Sequence, residues 1–162
     1  MFKKPINNFF LSLFLILLTA GWCSYFNSFA MDSYYPQIKR SELTPPGYVF
    51  SVVWTILYTL MVISLDILLN LKTEIKKMAV QLFLFNLFLQ VMWSFAFFYN
   101  GYFLVGLIII VIMDISALAL TEVSYQANKI AGLLLLPYLA WIIFATYLNW
   151  AIYDLNGASY IF

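Results

Sequence analysis

Residues 133–149 of the chain read LLLLPYLAWIIFATYLN, and the rest of the fold is organised around this stretch. It is apolar enough to cross a bilayer, yet it contains a proline, large aromatic residues with polar tips and an asparagine. On a helix, one face collects the residues spaced three or four apart, namely Tyr138, Trp141, Ala145 and Asn149. A helix surrounded only by lipid has no need of that stripe. We therefore expect it to face an internal cavity whose wall the other helices complete.

The composition places the chain among membrane proteins. Of its 162 residues, 65% are hydrophobic and only 9% are charged, so a soluble core could not be covered with polar surface. The net charge of +1 gives no reason to expect a nucleic-acid partner. Because the chain has no histidine and a single cysteine, it offers no imidazole for acid–base catalysis or for ordinary metal ligation. We expect no metal site and no cofactor.

Five apolar segments are each long enough for the roughly 20 residues that a spanning helix needs. They cover residues 9–30, 47–70, 78–99, 102–125 and 130–153. Backbone polar groups must be satisfied within the segment in lipid, and strand-like alternation is absent. The sequence therefore predicts an all-α bundle of five transmembrane helices forming one domain over residues 1–162. The first segment also resembles a signal peptide, but its apolar character continues to Met31, which favours a retained helix.

The basic residues of the loops predict the orientation. One side of a five-span chain carries Lys3, Lys4, Lys72, Lys76, Lys77 and Lys129, whereas the other carries Lys39 and Arg40. This imbalance places the N-terminus in the cytoplasm and the C-terminus outside. A short chain with a lysine-led N-terminus and no transit peptide suits a bacterial inner membrane.

The loop at residues 31–46 is the longest connection, and it ends in two prolines. Pro45 and Pro46 precede the second segment, where proline is compatible with a helix start because its missing N–H would be unpaired there. The loop is either a lid over a cavity on the outer face or a plain connector. The sequence supports both interpretations equally.

Polar and aromatic residues also form stripes on two other helices. Trp54 and Tyr58 share a face of the second segment, and Asn86, Gln90 and Trp93 share a face of the third. Carboxamides inside a span are costly unless they find partners. They either bond neighbouring helices to one another or line a wet or ligand-filled cavity.

Two further residues stand out inside spans. Asp114 lies near the middle of the fourth, where a carboxylate must face protein or water, and this makes it a functional candidate. Pro137 is expected to kink the fifth helix, with neighbouring helices satisfying the freed carbonyl. No nucleophile beside a base, no phosphate-binding glycine loop and no carboxylate pair is present. The inner faces instead suit a large, flat, mostly apolar ligand.

Three motifs carry a family resemblance. They are TPPGYVFSVVWTILYTLM, QLFLFNLFLQVMWSFAFF and, after Asp114, LLLLPYLAWIIFATYLNWAIYDLN. In this order and spacing, they resemble the translocator protein family, whose bacterial members are called tryptophan-rich sensory proteins. The resemblance covers nearly the whole chain and implies a five-helix membrane fold, usually homodimeric. It also implies a pocket opening toward the first loop for porphyrins such as protoporphyrin IX, sterols in some members, and isoquinoline or benzodiazepine drugs. By position, family pocket residues fall on Trp54, Asn86, Trp93, Trp141, Ala145 and Asn149.

The chain departs from the family pattern at several positions. Tyr34 and Leu43 stand where the family's first loop has tryptophans, and Gln90 replaces an asparagine. Trp150 and Asp154 stand where the family's sterol-recognition segment needs a tyrosine and a basic residue, so cholesterol binding is not expected. Some bacterial members of the family resemble porphyrin-degrading photo-enzymes that depend on loop and pocket tryptophans, and in this chain Tyr34 replaces one of those tryptophans.

The leading hypothesis is a membrane-integral binding protein for tetrapyrroles, with a sensory, regulatory or transport role. The expected ligand-binding residues are Tyr34, Pro45, Pro46, Trp54, Tyr58, Asn86, Gln90, Trp93, Asp114, Tyr138, Trp141, Ala145 and Asn149. One alternative is an enzyme that photo-oxidises protoporphyrin IX with Trp141 as electron donor. A second is a porphyrin or sterol transporter, although no inverted repeat is evident. The third is a structural subunit with a collapsed interior.

Overall fold

A computed structural model describes residues 6–160 and shows five long helices. These are α1 (Ile6–Asp32), α2 (Gly47–Leu69), α3 (Ile75–Ser94), α4 (Phe103–Ala127) and α5 (Lys129–Asn156). A short 3-10 helix, Tyr35–Gln37, lies between α1 and α2, and α3 continues as a π-helical turn, Phe95–Tyr99. The described part of the chain contains no strand, so the predicted all-α class is confirmed.

All five helices are long and apolar enough to cross a membrane. The shortest span, Gly47–Leu69, has 23 residues, which corresponds to about 35 Å of helix, against roughly 30 Å of hydrocarbon. Large apolar side chains project outward from the bundle; for example, Phe14 is 61% exposed and Ile115 is 67% exposed. Such side chains are stable only against lipid, so the protein is an integral membrane protein.

The helix ends differ from the segments that the sequence predicted. α3 begins at Ile75 rather than at residue 78, and α5 runs to Asn156 rather than to residue 153. Hydropathy marks where apolar side chains stop, whereas the helical hydrogen bonds continue into the polar interface. Polar ends such as Lys76 and Lys77 therefore belong to helices although they lie outside the apolar windows.

α4 packs against α3 and α5, and α2 packs against α1 and α5. Two glycines allow close approaches around α4. A Cβ at Gly106 would lie 2.8 Å from the ring of Phe97, and a Cβ at Gly132 would lie 2.5 Å from the backbone of Tyr125. Both distances are below van der Waals contact, so these crossings need glycine.

Short connections hold the neighbouring helices antiparallel. Asn128 is the one residue between α4 and α5, and its Oδ1 accepts hydrogen bonds from the N–H groups of Ile130 (2.9 Å) and Ala131 (3.1 Å). This satisfies two N–H groups that a helix start leaves free. At the opposite end, Gly101 has φ +64°, the left-handed conformation that turns the chain from α3 into α4.

The C-terminal segment after α5 ties the first loop to the bundle. The side chain of Asn156 accepts a hydrogen bond from Lys39 N–H (2.9 Å) and donates one to Lys39 C=O (2.8 Å). Tyr160 N–H donates to Gly101 C=O (2.8 Å), and the Tyr160 ring stacks on Tyr34 with centroids 4.9 Å apart. The middle of the loop is therefore held by groups far away in sequence.

Candidate functional site

A cavity of about 440 Å³ lies among α1, α2, α3 and α5, beneath the first loop. Arg40, Thr44 and Pro45 of the loop line one end, and Tyr58 and Gln90 line the other. From the start of α2 to Tyr58, the helix rises about 16 Å, so the cavity reaches deep into the bundle. A lined interior of this size contradicts the collapsed interior expected of a purely structural subunit.

The structure brings most of the predicted site residues to this cavity, but not all of them. Those that line it are Pro45, Trp54, Tyr58, Gln90, Trp93, Trp141, Ala145 and Asn149. Those that do not are Tyr34, Pro46, Asn86, Asp114 and Tyr138. Four of the eight lining residues are aromatic and come from three helices, which gives the cavity flat apolar walls.

On the α5 wall, the stripe of Trp141, Ala145 and Asn149 faces inward as its spacing predicts. Asn149 is occupied by protein partners: its Oδ1 accepts from Trp93 Nε1 (2.9 Å) and its Nδ2 donates to Ala145 C=O (2.9 Å). Asn149 therefore fixes the Trp93 ring against α5. Its amide is a positioning group rather than a free donor for a ligand.

The inner end of the cavity rests on a chain of hydrogen bonds that crosses four helices. Tyr58 OH donates to Gln90 Oε1 (3.4 Å), and Gln90 Nε2 donates to Tyr138 OH (3.1 Å). Tyr138 OH donates in turn to Asn86 Oδ1, and Asn86 Nδ2 donates to Met113 C=O (3.2 Å). The two roles considered for the carboxamides, bonding of helices and lining of the cavity, are thus both present. Asn86 joins helices, whereas Gln90 joins helices and also lines the cavity.

Trp141 differs from Trp93 in having no hydrogen-bond partner. Its Nε1 is buried, and no described protein group accepts from it. Its ring lies edge-on to Phe50 (centroids 5.7 Å apart) and tilted against Phe144 (5.6 Å). A buried indole N–H without a partner is costly, so this donor is available to an acceptor on a bound molecule.

Helix α1 supplies a wall that the sequence reasoning missed. Cys23, Ser24, Asn27 and Ser28 line the cavity together with Ala20 and Met31. Asn27 Oδ1 is buried and has no partner among the described residues. These small and polar residues recur at helical spacing along an otherwise apolar span. That spacing is the feature of the sequence that could have indicated an inward-facing side of α1.

The outer end of the cavity carries a charge. Arg40 is the one charged residue among the described lining residues, and its guanidinium lies 5.3 Å from the centroid of the Tyr35 ring. Burial raises the pKa of Tyr35, while the neighbouring Arg40 charge opposes this. The guanidinium is exposed, so it can also meet an anionic group of a ligand at the cavity mouth.

Tyr34, one of the expected ligand-binding residues, does not line this cavity. It is 1% exposed, and its OH donates to the carbonyl oxygens of Phe97 (2.5 Å) and Phe98 (3.0 Å) at the end of α3. Burial raises its pKa well above the usual value for tyrosine. Tyr34 anchors the loop, and Pro46 similarly has a local role because it caps α2.

Asp114 also lies outside the cavity, between α4 and α5. Its Oδ2 accepts from Thr146 Oγ1 (2.7 Å), and its Oδ1 is buried without a partner among the described residues. The side chain is half-buried. Asp114, one of the expected ligand-binding residues, thus joins α4 to α5 through Thr146 at a position outside the cavity lining.

The fold and the site define a class: a small integral membrane protein of five spans that encloses an aromatic, ligand-sized cavity. The sequence profile of the TspO/MBR family matches residues 11–154, and the chain belongs to this family. This confirms the resemblance seen in the three motifs.

Relatives from distant organisms match over most of their lengths. The tryptophan-rich protein TspO of Archaeoglobus fulgidus is 36% identical over 144 residues, covering 88% of this chain and 94% of the relative. The protein of the same name from Chlorobaculum tepidum is 39% identical over 127 residues, covering 76% and 79%. The human translocator protein is 30% identical over 126 residues, covering 76% and 75%.

Proposed function

We propose that the chain binds a porphyrin, with protoporphyrin IX as the representative ligand, in the cavity beneath the first loop. The observation that carries the proposal is an aromatic cavity with an unpaired indole N–H in its wall and a guanidinium at its mouth. The porphyrin is a ligand here rather than the cofactor of a reaction. Binding would serve a sensory, regulatory or transport role.

The size and the walls of the cavity suit such a ligand. Small-molecule sites usually enclose about 300–1,000 Å³ and are lined mainly by apolar and aromatic groups, and the cavity volume of about 440 Å³ falls in this range. The rings of Trp54, Trp93 and Trp141 offer faces on which a flat macrocycle can stack. Isoquinoline and benzodiazepine compounds are smaller ligands with the same flat, apolar character.

The few polar groups of the cavity would orient the ligand. A porphyrin such as protoporphyrin IX is apolar at one edge and carries carboxylates at the other. Arg40 at the mouth can pair with a carboxylate, which would place the apolar edge toward Tyr58 and Gln90. In this orientation, the carboxylates stay near water, where their desolvation costs least.

A fluorescence titration tests the proposal. The purified protein in lipid nanodiscs would be titrated with protoporphyrin IX, and saturable quenching of tryptophan emission is expected. Trp141→Phe keeps a ring but removes the unpaired N–H, so it should weaken binding. Trp150→Phe is the matched control, because Trp150 is 49% exposed on α5 and does not line the cavity. Quenching that rises linearly without saturation would refute the proposal.

The proposed setting is a bacterial inner membrane, with the cavity mouth outside. The first loop, the α3–α4 turn and the C-terminal segment lie together at one end of the bundle. At the opposite end, Lys72 lies in the connection between α2 and α3, and Lys76, Lys77 and Lys129 lie in the first turns of α3 and α5. The positive-inside rule assigns this end to the cytoplasm. A homodimer is proposed on the family resemblance, and cross-linking in native membranes would test it.

A further inference from the structure

A second groove, of about 330 Å³, lies between α2 and α5 on the outside of the bundle. Val53 and Ile56 of α2 line it, together with Pro137, Ala140 and Phe144 of α5. Ile56 is 53% exposed, and Pro137 and Ala140 are exposed as well. Because these helices span the membrane, the groove opens sideways into the bilayer rather than toward water.

One residue separates this groove from the inner cavity. Trp141 lines both volumes, and no other described residue does. The indole therefore forms a partition with the cavity on one side and the lipid-facing groove on the other. Moving this side chain would join the two spaces.

The Trp141 side chain is held by packing, without a hydrogen bond to a described residue. Phe50 lies on one side of it and Phe144 on another, while its N–H has no acceptor among the described residues. Trp93, by contrast, is fixed by the hydrogen bond to Asn149. A rotamer change of Trp141 thus breaks ring contacts but no hydrogen bond to a described residue.

The groove exists because α5 carries an alanine and a proline, Ala140 and Pro137, next to Trp141. Ala140 leaves space where a larger side chain would fill the gap, and Pro137 lacks an N–H, which removes one helical hydrogen bond one turn before Trp141. The backbone can therefore adjust locally, as proline-containing spans do when neighbouring groups compensate. The groove and the adjustable backbone at Pro137 therefore both lie next to Trp141.

We propose that the ligand reaches the cavity from the bilayer through a portal between α2 and α5, with Trp141 as its gate. The entrant is the porphyrin of the proposed function, on which this inference rests. The apolar macrocycle of such a porphyrin partitions into the bilayer while its carboxylates stay at the interface, so the lateral route starts from ligand that is already in the membrane. The first loop, at the other end of the cavity, is held in place by the contacts of Lys39 with Asn156 and of Tyr34 with the end of α3.

Blocking the groove from outside tests the portal. Ala140→Phe fills the groove without changing a residue that lines the cavity. In nanodiscs, stopped-flow quenching by protoporphyrin IX should show association and dissociation both slowed by about tenfold, because a required conformational step limits such rates. The Kd should stay within about twofold of wild type, since a gate changes the barrier and not the end states.

Ala119→Phe is the matched control, because Ala119 is a lipid-facing alanine on α4 that does not line the groove. Phe144→Ala changes the portal in the opposite direction: it removes a ring that supports Trp141, so both rates should rise. Circular dichroism and thermal unfolding would establish that each variant is folded.

The two proposals fail in different ways. Unchanged rates in both portal variants, with saturable binding intact, would overturn the portal and leave the proposed function standing. Asn156→Ala, which loosens the loop, would then be expected to accelerate binding instead. Wild-type protein that shows no saturable quenching would overturn both proposals.

Discussion

Trp93 on α3 and Asn149 on α5 are joined by a hydrogen bond of 2.9 Å from the indole Nε1 to the carboxamide Oδ1, and both residues line the cavity. Asn149 is 4% exposed, so the bond is shielded from water. It fixes one aromatic wall, whereas the opposite indole, Trp141, has no hydrogen-bond partner among the described residues. One tryptophan of the cavity wall is thus fixed by a hydrogen bond, and the other is held by packing.

Removing the amide should destabilise the rigid side. Asn149→Ala leaves the buried Trp93 N–H without a partner, which costs about 1–3 kcal/mol. The melting temperature in detergent should fall, and porphyrin affinity should fall with it because the ring is no longer positioned. Asn100→Ala is the control, because Asn100 is half-buried in the α3–α4 turn and loses only a solvent-exposed hydrogen bond to Phe95 C=O. Equal melting temperatures for the two variants would contradict this account.

The hydroxyl of Tyr138 should matter although it does not line the cavity. Tyr138→Phe leaves both Gln90 Nε2 and Asn86 Oδ1 without this partner, so a loss of about 1–3 kcal/mol is expected. Gln90 would then be free to turn within the cavity, and ligand affinity should drop. Tyr125→Phe, at a lipid-facing tyrosine that is 41% exposed, should change neither the stability nor the affinity.

The guanidinium of Arg40 should recognise carboxylates. Arg40→Gln is expected to weaken protoporphyrin IX binding by about 0.2–1 kcal/mol, the range for an exposed ion pair, with a smaller effect at high salt. Octaethylporphyrin, which has no carboxylate, should bind wild type and variant equally. If both porphyrins lose affinity by the same factor, Arg40 acts through the shape of the loop and not through its charge.

The clamp between Asn156 and Lys39 should protect the loop from opening. Asn156→Ala removes both hydrogen bonds, so deuterium exchange of the Lys39 amide should accelerate. Asn70→Ala, which alters the opposite end of the bundle, is the control. Unchanged exchange in the Asn156 variant would mean that Tyr34 and Tyr160 hold the loop by themselves.

Illumination of the porphyrin complex separates binding from light-dependent degradation. Three tryptophans line the cavity, and Tyr34 lies outside it, so the loop substitution does not alter the wall that faces the ligand. If the chain degrades porphyrin, the Soret band should decay in the light and Trp141→Phe should slow the decay. Identical decay in both proteins would leave binding as the function.

The sequence by itself determined the five spans, because hydropathy and helical spacing are local properties that do not depend on which helices pack next to one another. The same spacing placed Trp141, Ala145 and Asn149 on one inward face of α5. Both follow from the need to satisfy backbone polar groups within each helix in lipid.

The tertiary structure alone decided what each inward residue contacts. It turned Tyr34 toward the end of α3, joined Asn86 to Tyr138, and brought α1 to the cavity through Cys23 and Asn27. A residue's partners depend on how helices rotate and cross, which spacing along one helix cannot specify. Trp93 is bonded to Asn149, whereas Trp141 has no hydrogen-bond partner among the described residues. This difference depends on the contacts between helices and not on the spacing within any of them.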